Sequence, residues 1–471
     1  MENLASNLLL IYGFLFTFFV PGFVLIEGFF SYLPRIQKLP LYMLTSILLS
    51  TWSIFLTSYI FGYSQGTIIL TFASYIPFLF WIIAKRNVKH LYPKKHLSEL
   101  IFALVAFILF VIALYPAIFY KFQDYIVMSA DNWQDTAMHL GIIESISEGN
   151  FPPQAPYYAG RPLTYYYFSD FHTAILQTLT TKFSPRILVL DNSLYVFIFT
   201  LGVYALSFLL TKSKKSSLFA SMVALFSGNF MFIRLIQDLF TKPGREEFFV
   251  HLRNLVSSAS YTMEYGKLMQ MTPVTDYFLQ NRPMMVGLST VTLVTTLVVG
   301  AYKKGDVSRL LLAGLITGFM VKFQLFSFVV ALVLVGIGFL VFMTKRNLVK
   351  KFAGVVGFVG ISCLFLTILV VTGDPNRSFI DIVKKSFSFG PWDKSKDFLW
   401  YLSFYFANFN LPFVVGLVFI PLVILKKSFR KRQYLFLIAW FLVTLLTPQL
   451  IRFTIYEGDM FKFYYFMMIP L

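Results

Sequence analysis

Uncharged, apolar runs of about twenty residues recur along most of this chain. A helix needs roughly twenty apolar residues to cross a hydrocarbon core of about 30 Å, so each run predicts one transmembrane helix. Hydrophobic residues make up 57% of the chain and charged residues 13%, a composition that excludes a soluble globular domain. The predicted class is an all-α polytopic membrane protein with about twelve transmembrane helices. The runs are 5–27, 41–62, 67–84, 100–121, 190–211, 216–236, 284–302, 309–323, 325–343, 352–372, 398–425 and 434–451.

The positions of the basic residues predict the orientation of these helices. The net charge of +18 arises mainly from Lys and Arg that cluster in alternate connections between the runs, so it indicates a membrane topology and not a nucleic-acid partner. With the N-terminus outside, all six inner connections are basic, whereas the short outer turn 63–66 has no Lys or Arg. We expect a multi-pass protein of the plasma membrane with its active site on the extracytoplasmic side.

Three long connections then lie outside, at 122–189, 237–283 and 373–397. Connections of this length are usually functional or disordered, and their aromatic content predicts folded segments with amphipathic helices on the membrane surface. We divide the chain into an N-terminal addition of three spans, 1–98, and a main membrane domain, 99–471. The final FKFYYFMMIPL resembles the start of a thirteenth span, so we expect either a piece of a longer protein or a last helix that is interfacial.

The first outer connection carries an acidic cluster. Asp131, Asp135 and His139 are spaced by four residues, which places them on one stripe of a helix predicted over 131–148 and ended by Pro152-Pro153. We expect this stripe to be the wet edge of an amphipathic helix. As a functional element, the stripe provides a general base, a divalent cation site that uses Asp135 and His139, or both. The alternative is that it is only the solvated face of the helix.

Cations on the same side of the membrane are the second candidate group. Arg282 precedes the seventh span, and Lys322 interrupts an apolar stretch at the tip of an outer hairpin, where it either snorkels or neutralises an anion. Arg452 and Lys462 follow the twelfth span. The candidate residues that line a substrate are Tyr165, Tyr166, Asp170 and His172; the tyrosines suit an interfacial belt or stacking against a sugar.

The stretch ADNWQDTAMHLGIIESISEGNFPPQAPYYAGRPLTYYYF resembles the first outer loop of the GT-C superfamily of membrane glycosyltransferases, and GLITGFMVKFQLF is similar to a span of that superfamily that ends in Lys. The resemblance implies a polyprenyl-phosphate-linked sugar donor, often a divalent cation, and inversion at the anomeric carbon. It makes Asp131 the candidate base with Asp135 beside it, and Lys322 a donor-phosphate contact. Two features depart from the superfamily: four spans precede the acidic loop, and the loop has no adjacent pair of acidic residues.

The leading interpretation is transfer of a sugar from a lipid-linked donor to an acceptor of unknown identity at the outer face. A phosphate favours Arg or Lys, and transfer to a hydroxyl needs a carboxylate base. Arg282, Lys322, Arg452 and Lys462 are therefore predicted to bind the donor phosphate. The partners are this donor and membrane lipids, and the only cofactor predicted is a divalent cation. The alternatives are a transporter or flippase, which would place more polar groups at midplane, and a structural membrane subunit.

Overall fold

The structure is a computed structural model that describes residues 2–85, 96–118, 120–122, 125–127, 135–158, 160–163, 166–180, 185–228, 233, 236–237, 240–241, 282–342, 348–372, 387–391, 396–425, 431–452, 460 and 462–470. The elements of its N-terminal half are α1 (Glu2–Phe18), α2 (Val20–Phe29), α3 (Arg35–Phe61), α4 (Gln65–Ala73), α5 (Ile76–Lys85), α6 (Leu97–Ile118), β1 (Tyr120–Phe122), β2 (Tyr125–Val127), α7 (Asp135–Ser147), α8 (Phe168–Thr180), α9 (Pro185–Thr211) and α10 (Lys214–Phe226). The remaining elements are α11 (Arg282–Lys304), α12 (Val307–Phe319), α13 (Leu325–Phe342), α14 (Leu348–Thr372), β3 (Ser388–Phe389), α15 (Phe398–Leu425), α16 (Arg432–Leu450), β4 (Ile451–Arg452) and α17 (Lys462–Met467). The strands form two antiparallel pairs, β1 with β2 and β3 with β4.

The described chain contains nine segments that are long and apolar enough to cross a membrane. Each of the nine overlaps one of the predicted runs, so the prediction of an all-α, multi-pass membrane protein is confirmed. A tenth arises if Phe398–Phe409 and Pro412–Val423, which meet at 110°, form one span. The full count of twelve and the orientation remain predictions.

Three predicted spans differ from the helices found. The run 216–236 begins with α10, whose helix ends at Phe226 because Ser227 is extended. The run 309–323 contains α12, which has 13 residues and ends at Phe319. At 1.5 Å per residue, α12 is roughly 20 Å long and falls short of a hydrocarbon core. The run 398–425 bends sharply between its two halves.

The helices share one hydrophobic core. Buried residues of α1 and α3 belong to the same cluster as those of α8, α9, α11 and α13, so the first three spans pack directly against the rest of the molecule. α3 ends at Phe61, at the end of the bundle that the charge pattern predicts to be outside. We call this the outer end.

Close backbone packing holds α12 against α14. A Cβ atom at Gly314 would lie 2.8 Å from the Phe358 Cα, so only glycine permits this approach. Beyond α12 the chain turns through a short 3-10 helix, Met320–Lys322, before α13 begins. The position of Lys322 is therefore determined by where α12 packs.

Candidate functional site at the outer end of the bundle

Helix α8 is the centre of the candidate site. Twelve of its thirteen residues are buried, which makes it a core element and not a surface helix, although it connects two transmembrane regions. Its first residue, Phe168, packs on Trp52 with ring centroids 4.9 Å apart, and near its end Leu179 accepts a hydrogen bond from Gln65 Nε2 (2.9 Å). Because Trp52 lies nine residues before the end of α3, the start of α8 is recessed by roughly 14 Å from the outer end.

Arg282 projects from the first residue of α11 into a buried polar network on α8 and α9. The side chain is 2% exposed, and all three guanidinium nitrogens donate hydrogen bonds to oxygen atoms. Nε donates to Asn192 Oδ1 (3.0 Å), Nη1 to Asp170 Oδ1 (3.2 Å), and Nη2 to Asp191 Oδ2 (2.9 Å), the Ser169 carbonyl (3.2 Å) and Thr173 Oγ1. The planar, multidentate guanidinium is suited to bridging two carboxylates in this way.

Each of these two carboxylates also holds a histidine. His139 Nδ1 lies 2.8 Å from Asp170 Oδ2, and His172 Nδ1 lies 3.3 Å from the Asp191 carboxylate. Both imidazoles and both carboxylates are fully buried. The network therefore connects α7, α8, α9 and α11 through two Asp–His pairs that meet at one arginine.

Such a network is stable only while its charges remain paired. Removing one partner of a buried ion pair leaves an uncompensated charge in a low dielectric, which typically costs about 3–5 kcal/mol. Arg282 balances two carboxylates at once, so its loss would leave both without their main counter-charge. We therefore expect the network to stabilise the structure around the site.

Lys322 is the second buried cation at this end, and its surroundings differ from those of Arg282. The residue is 5% exposed, and Nζ lies 5.0, 5.5 and 5.6 Å from the ring centroids of Phe55, Tyr167 and Phe168. Within the described part of the chain, no carboxylate or hydrogen-bond acceptor contacts Nζ. Burial lowers the pKa of Lys322 to about 8, and burial raises the pKa of the neighbouring Tyr167 hydroxyl.

The turn that carries Lys322 is fixed on both sides. Trp52 Nε1 donates to the Phe319 carbonyl (2.9 Å) at the end of α12. Gln324 Oε1 accepts from the Ser327 backbone N–H (2.6 Å), which closes the first turn of α13. These bonds fix the backbone on both sides of Lys322, whose side chain is buried.

The two remaining predicted cations belong to the last described segments of the chain. Lys462 Nζ is 5.5 Å from the centroid of Phe326, which belongs to the first turn of α13, close in sequence to Lys322. Arg452 lies in β4, where its backbone pairs with Ser388. Lys462 therefore contacts the helix that follows the turn that carries Lys322.

The acidic loop is described only in part. Asp131 and Tyr165 lie outside the described residues, and Asp135 is described as the first residue of α7 but not in its side chain. The predicted helix is confirmed over Asp135–Ser147, and Tyr166 is half-buried. The placement of His139 on a wet edge is wrong, because α7 packs against α8 and turns this imidazole toward Asp170.

The predicted divalent cation remains a prediction. His139 directs Nδ1 at Asp170, which leaves Nε2 as the nitrogen that a metal could use. Among the side chains that the structure describes, no group of three or more His, Cys, Asp or Glu residues could hold a metal ion. The described residues do not by themselves form the site, and the Asp135 carboxylate is not among them.

Sequence reasoning named Asp170, His172 and Arg282 as separate candidates and missed the residues that join them. Asp191 bonds both Arg282 and His172, and Asn192 and Thr173 also accept hydrogen bonds from the arginine. One signal could have found Asp191, since it lies at the start of the predicted span 190–211, where an ionisable residue is costly and marks a functional site.

Comparisons with known proteins give no relative from which a role could be carried over. No protein-family model matches the chain, no curated protein matches it, and no solved structure matches it.

Proposed function

We propose that this chain is a membrane glycosyltransferase that moves a sugar from a polyprenyl-phosphate-linked donor to an acceptor at the outer face. The observation that carries the proposal is the convergence on α8 of three residues from distant segments. His139 and Arg282 both contact Asp170, and Lys322 contacts Phe168. A recessed cation beside a buried network of carboxylates and imidazoles suits a lipid-linked anion that enters from the bilayer.

The reaction divides between the cations and the acidic loop. The acceptor oxygen forms a bond to C1 of the sugar while the bond from C1 to the phosphate oxygen breaks, and that oxygen keeps the electron pair. The acceptor's hydroxyl proton passes to the Asp131 carboxylate, with Asp135 as its neighbour. Lys322 stabilises the leaving phosphate, and Lys462 and Arg452 assist its approach. Approach of the acceptor from the side opposite the phosphate inverts C1.

The polar network then has a supporting role in this proposal. Arg282 is occupied by two carboxylates, so it holds Asp170 and Asp191 in place while it adds positive charge near the donor. Of the residues predicted to line a substrate, Tyr166 is half-buried and stays a candidate, whereas Asp170 and His172 belong to the buried network. A group held by rigid partners is preorganised, which is how enzymes lower barriers without reorganisation during the reaction.

A reconstituted assay tests the proposal. Protein in liposomes receives a polyprenyl-phosphate sugar labelled in the sugar and a panel of hydroxyl acceptors, and labelled product is measured. We expect Asp131→Asn to abolish transfer while Glu148→Gln, a matched change at an exposed acidic residue just after α7, leaves it unchanged. Transfer by Asp131→Asn at the wild-type rate would remove Asp131 as the base.

A transporter or flippase is the second candidate, and one observation favours it. The buried Arg282 network, together with the buried Lys38–Glu27 pair at 2.6 Å between α2 and α3, provides more ionisable groups inside the bundle than the sequence suggested. Intramembrane ionisable residues often mark substrate or proton pathways. Movement of a labelled lipid-linked sugar across liposomes without any acceptor would favour this function over transfer.

A further inference from the structure

The end of the bundle opposite Arg282 brings three helices together. Arg282 begins α11, and at the other end of this helix Lys303 Nζ donates to Gln433 Oε1 of α16 (3.0 Å) and to the Leu209 carbonyl of α9 (3.4 Å). Gln433 Nε2 in turn donates to the Leu210 carbonyl (2.9 Å). The last turns of α9 and α11 and the first turn of α16 therefore meet at the end that the charge pattern predicts to be inner.

Lysines crowd this inner end. Lys212 directly follows α9, and its ammonium group and that of Lys303 repel each other. Within the described chain, no carboxylate forms an ion pair with Lys212, Lys215 or Lys303, and Asp306, just after α11, pairs with Arg309 instead (3.0 Å). The inner end therefore carries positive charge that has no counter-charge among the described residues.

Lys215, in the first turn of α10, is not placed to stabilise its own helix. A helix N-terminus carries about half a positive charge, so a cation in the first turn is unfavourable. The turn is already capped, since Ser213 Oγ accepts a hydrogen bond from the Ser216 backbone N–H (3.2 Å). The exposed ammonium of Lys215 and the helix N-terminus therefore attract an anion together.

An apolar stripe continues from Lys215 along the surface of α10. Phe219, Met222 and Phe226 follow Lys215 at i+4, i+7 and i+11, so the four side chains share one face of the helix. The three apolar residues are 67%, 45% and 48% exposed. Eleven residues of helix rise about 16 Å, which matches one leaflet of a hydrocarbon core of about 30 Å. The stripe thus has the charge pattern and the length of one lipid molecule.

The opposite face of α10 packs on α9 and sets the direction of the stripe. Ser221 Oγ donates to the Thr200 carbonyl (3.2 Å), eleven residues before the end of α9. Helix α10 therefore runs antiparallel to α9, away from the inner end. Its last residue, Phe226, packs on Phe102 of α6 with ring centroids 6.4 Å apart. The stripe leads from the lysines toward the middle of the membrane.

We propose that Lys212, Lys215 and the exposed face of α10 bind an anionic glycerophospholipid of the inner leaflet. Three residues span at most about 11 Å, so both flexible lysine side chains can reach one phosphate. One acyl chain lies along the apolar stripe. Clustered lysines at the inner surface favour anionic lipids, whereas a zwitterionic lipid carries its own cation beside the phosphate and gains less from them. The site is independent of sugar transfer at the outer end.

Native mass spectrometry of the purified full-length chain tests the site, with each probe titrated in detergent. The probes are dioleoylphosphatidylglycerol, dioleoylphosphatidylcholine and glycerophosphoglycerol, the soluble headgroup without acyl chains. We expect the first molecule of phosphatidylglycerol to bind at least tenfold more tightly than phosphatidylcholine. The headgroup alone should bind at least a hundredfold more weakly than phosphatidylglycerol.

Variants locate the binding on α10. One lysine near the membrane surface contributes about fivefold to the attraction of an anionic lipid. We therefore expect Lys215→Gln to weaken phosphatidylglycerol binding about fivefold, and the double variant with Lys212→Gln to weaken it at least tenfold, without any change for phosphatidylcholine. Lys350→Gln is the matched control, because it removes one exposed lysine from the first turn of α14, and binding should change less than twofold.

Equal affinity of the wild type for the two lipids would overturn the inference, as would wild-type phosphatidylglycerol affinity in the double variant. An equal loss in Lys215→Gln and Lys350→Gln would assign the binding to the overall charge of the inner surface and contradict a site on α10. Headgroup binding as tight as that of the lipid would contradict the role of the stripe. If the double variant does not fold, the comparison of Lys215→Gln with Lys350→Gln still decides the question.

Discussion

Arg282 and Lys322 are two buried cations at the same end of one bundle, and they are handled in opposite ways. Arg282 meets two carboxylates, an amide, a carbonyl and a hydroxyl, whereas Lys322 meets three aromatic rings and no described anion. The two side chains are similarly buried, but described carboxylates neutralise the charge of Arg282 and none neutralises that of Lys322. We infer from this difference that Arg282 maintains the fold, and we propose that Lys322 serves a ligand.

The largest effect is expected from Arg282→Gln. The change leaves Asp170 and Asp191 buried without their shared counter-charge, so the free energy of unfolding should fall by about 3–5 kcal/mol. Denaturant unfolding in detergent measures this loss. Arg282→Lys is the informative control, since a lysine restores the charge but cannot bridge both carboxylates, and its stability should be intermediate. If Arg282→Gln and the wild type have the same free energy of unfolding, Arg282 does not stabilise the fold and does not differ from Lys322 in this respect.

A pH titration of anion binding gives the next largest effect. Burial lowers the pKa of Lys322 to about 8, so the amine is charged at pH 7 and mostly neutral at pH 9. The affinity for farnesyl monophosphate, a short analogue of the lipid phosphate in the proposed donor, should therefore fall about tenfold between pH 7 and pH 9 as the charged fraction drops. Lys322→Arg should remove this decline, because arginine stays charged over the whole range. A decline of the same size in Lys322→Arg would assign the titration to another group.

Trp52→Phe tests the turn that positions Lys322. The change removes the hydrogen bond from Nε1 to the Phe319 carbonyl and leaves that buried carbonyl without this donor. We expect the free energy of unfolding to fall by about 1–2 kcal/mol and the binding of farnesyl monophosphate to weaken less than in Lys322→Met. Thermal unfolding and calorimetry of the same preparation measure the two quantities. Unchanged stability would show that the bond does not hold the turn.

The smallest change in stability is expected from Lys322→Met. Methionine keeps the length of the apolar stem and removes an uncompensated charge, so the free energy of unfolding should change by less than about 1 kcal/mol or increase. A loss as large as that of Arg282→Gln would mean that Lys322 supports the fold as well, and it would contradict the distinction between the two cations.

The spans were predictable from the sequence because a run of apolar residues reports on its own environment. The overlap of Arg282–Lys304 with the predicted 284–302 illustrates this. The run 309–323 was less informative, since hydropathy does not reveal that α12 ends at Phe319 and recesses Lys322. The candidate site residues were each predicted separately, from the charge of the side chain and from the side of the membrane on which the residue is expected to lie.

The pairing of these candidates could not be predicted in the same way. Asp191 and Arg282 are 91 residues apart, and no local spacing indicates that they meet. His139 was assigned to a wet edge because the helical stripe that contains it also contains two aspartates, but the packing of α7 on α8 decides which stripe is buried. Tertiary contact, and not periodicity, therefore determines the chemistry of this site.

The decisive measurement for the role of Lys322 is sugar transfer by Lys322→Met in liposomes. The control is Lys396→Met, a change at an exposed lysine that lies 5.3 Å from the centroid of the Trp400 ring. Both variants are first shown to unfold at the same midpoint as the wild type and are then reconstituted at equal amounts. Each receives a polyprenyl-monophosphate sugar with the acceptor that the wild type uses. We predict that Lys396→Met transfers sugar at the wild-type rate and that Lys322→Met loses at least tenfold in rate at subsaturating donor. Equal rates in the two variants would contradict a role of Lys322 in donor binding.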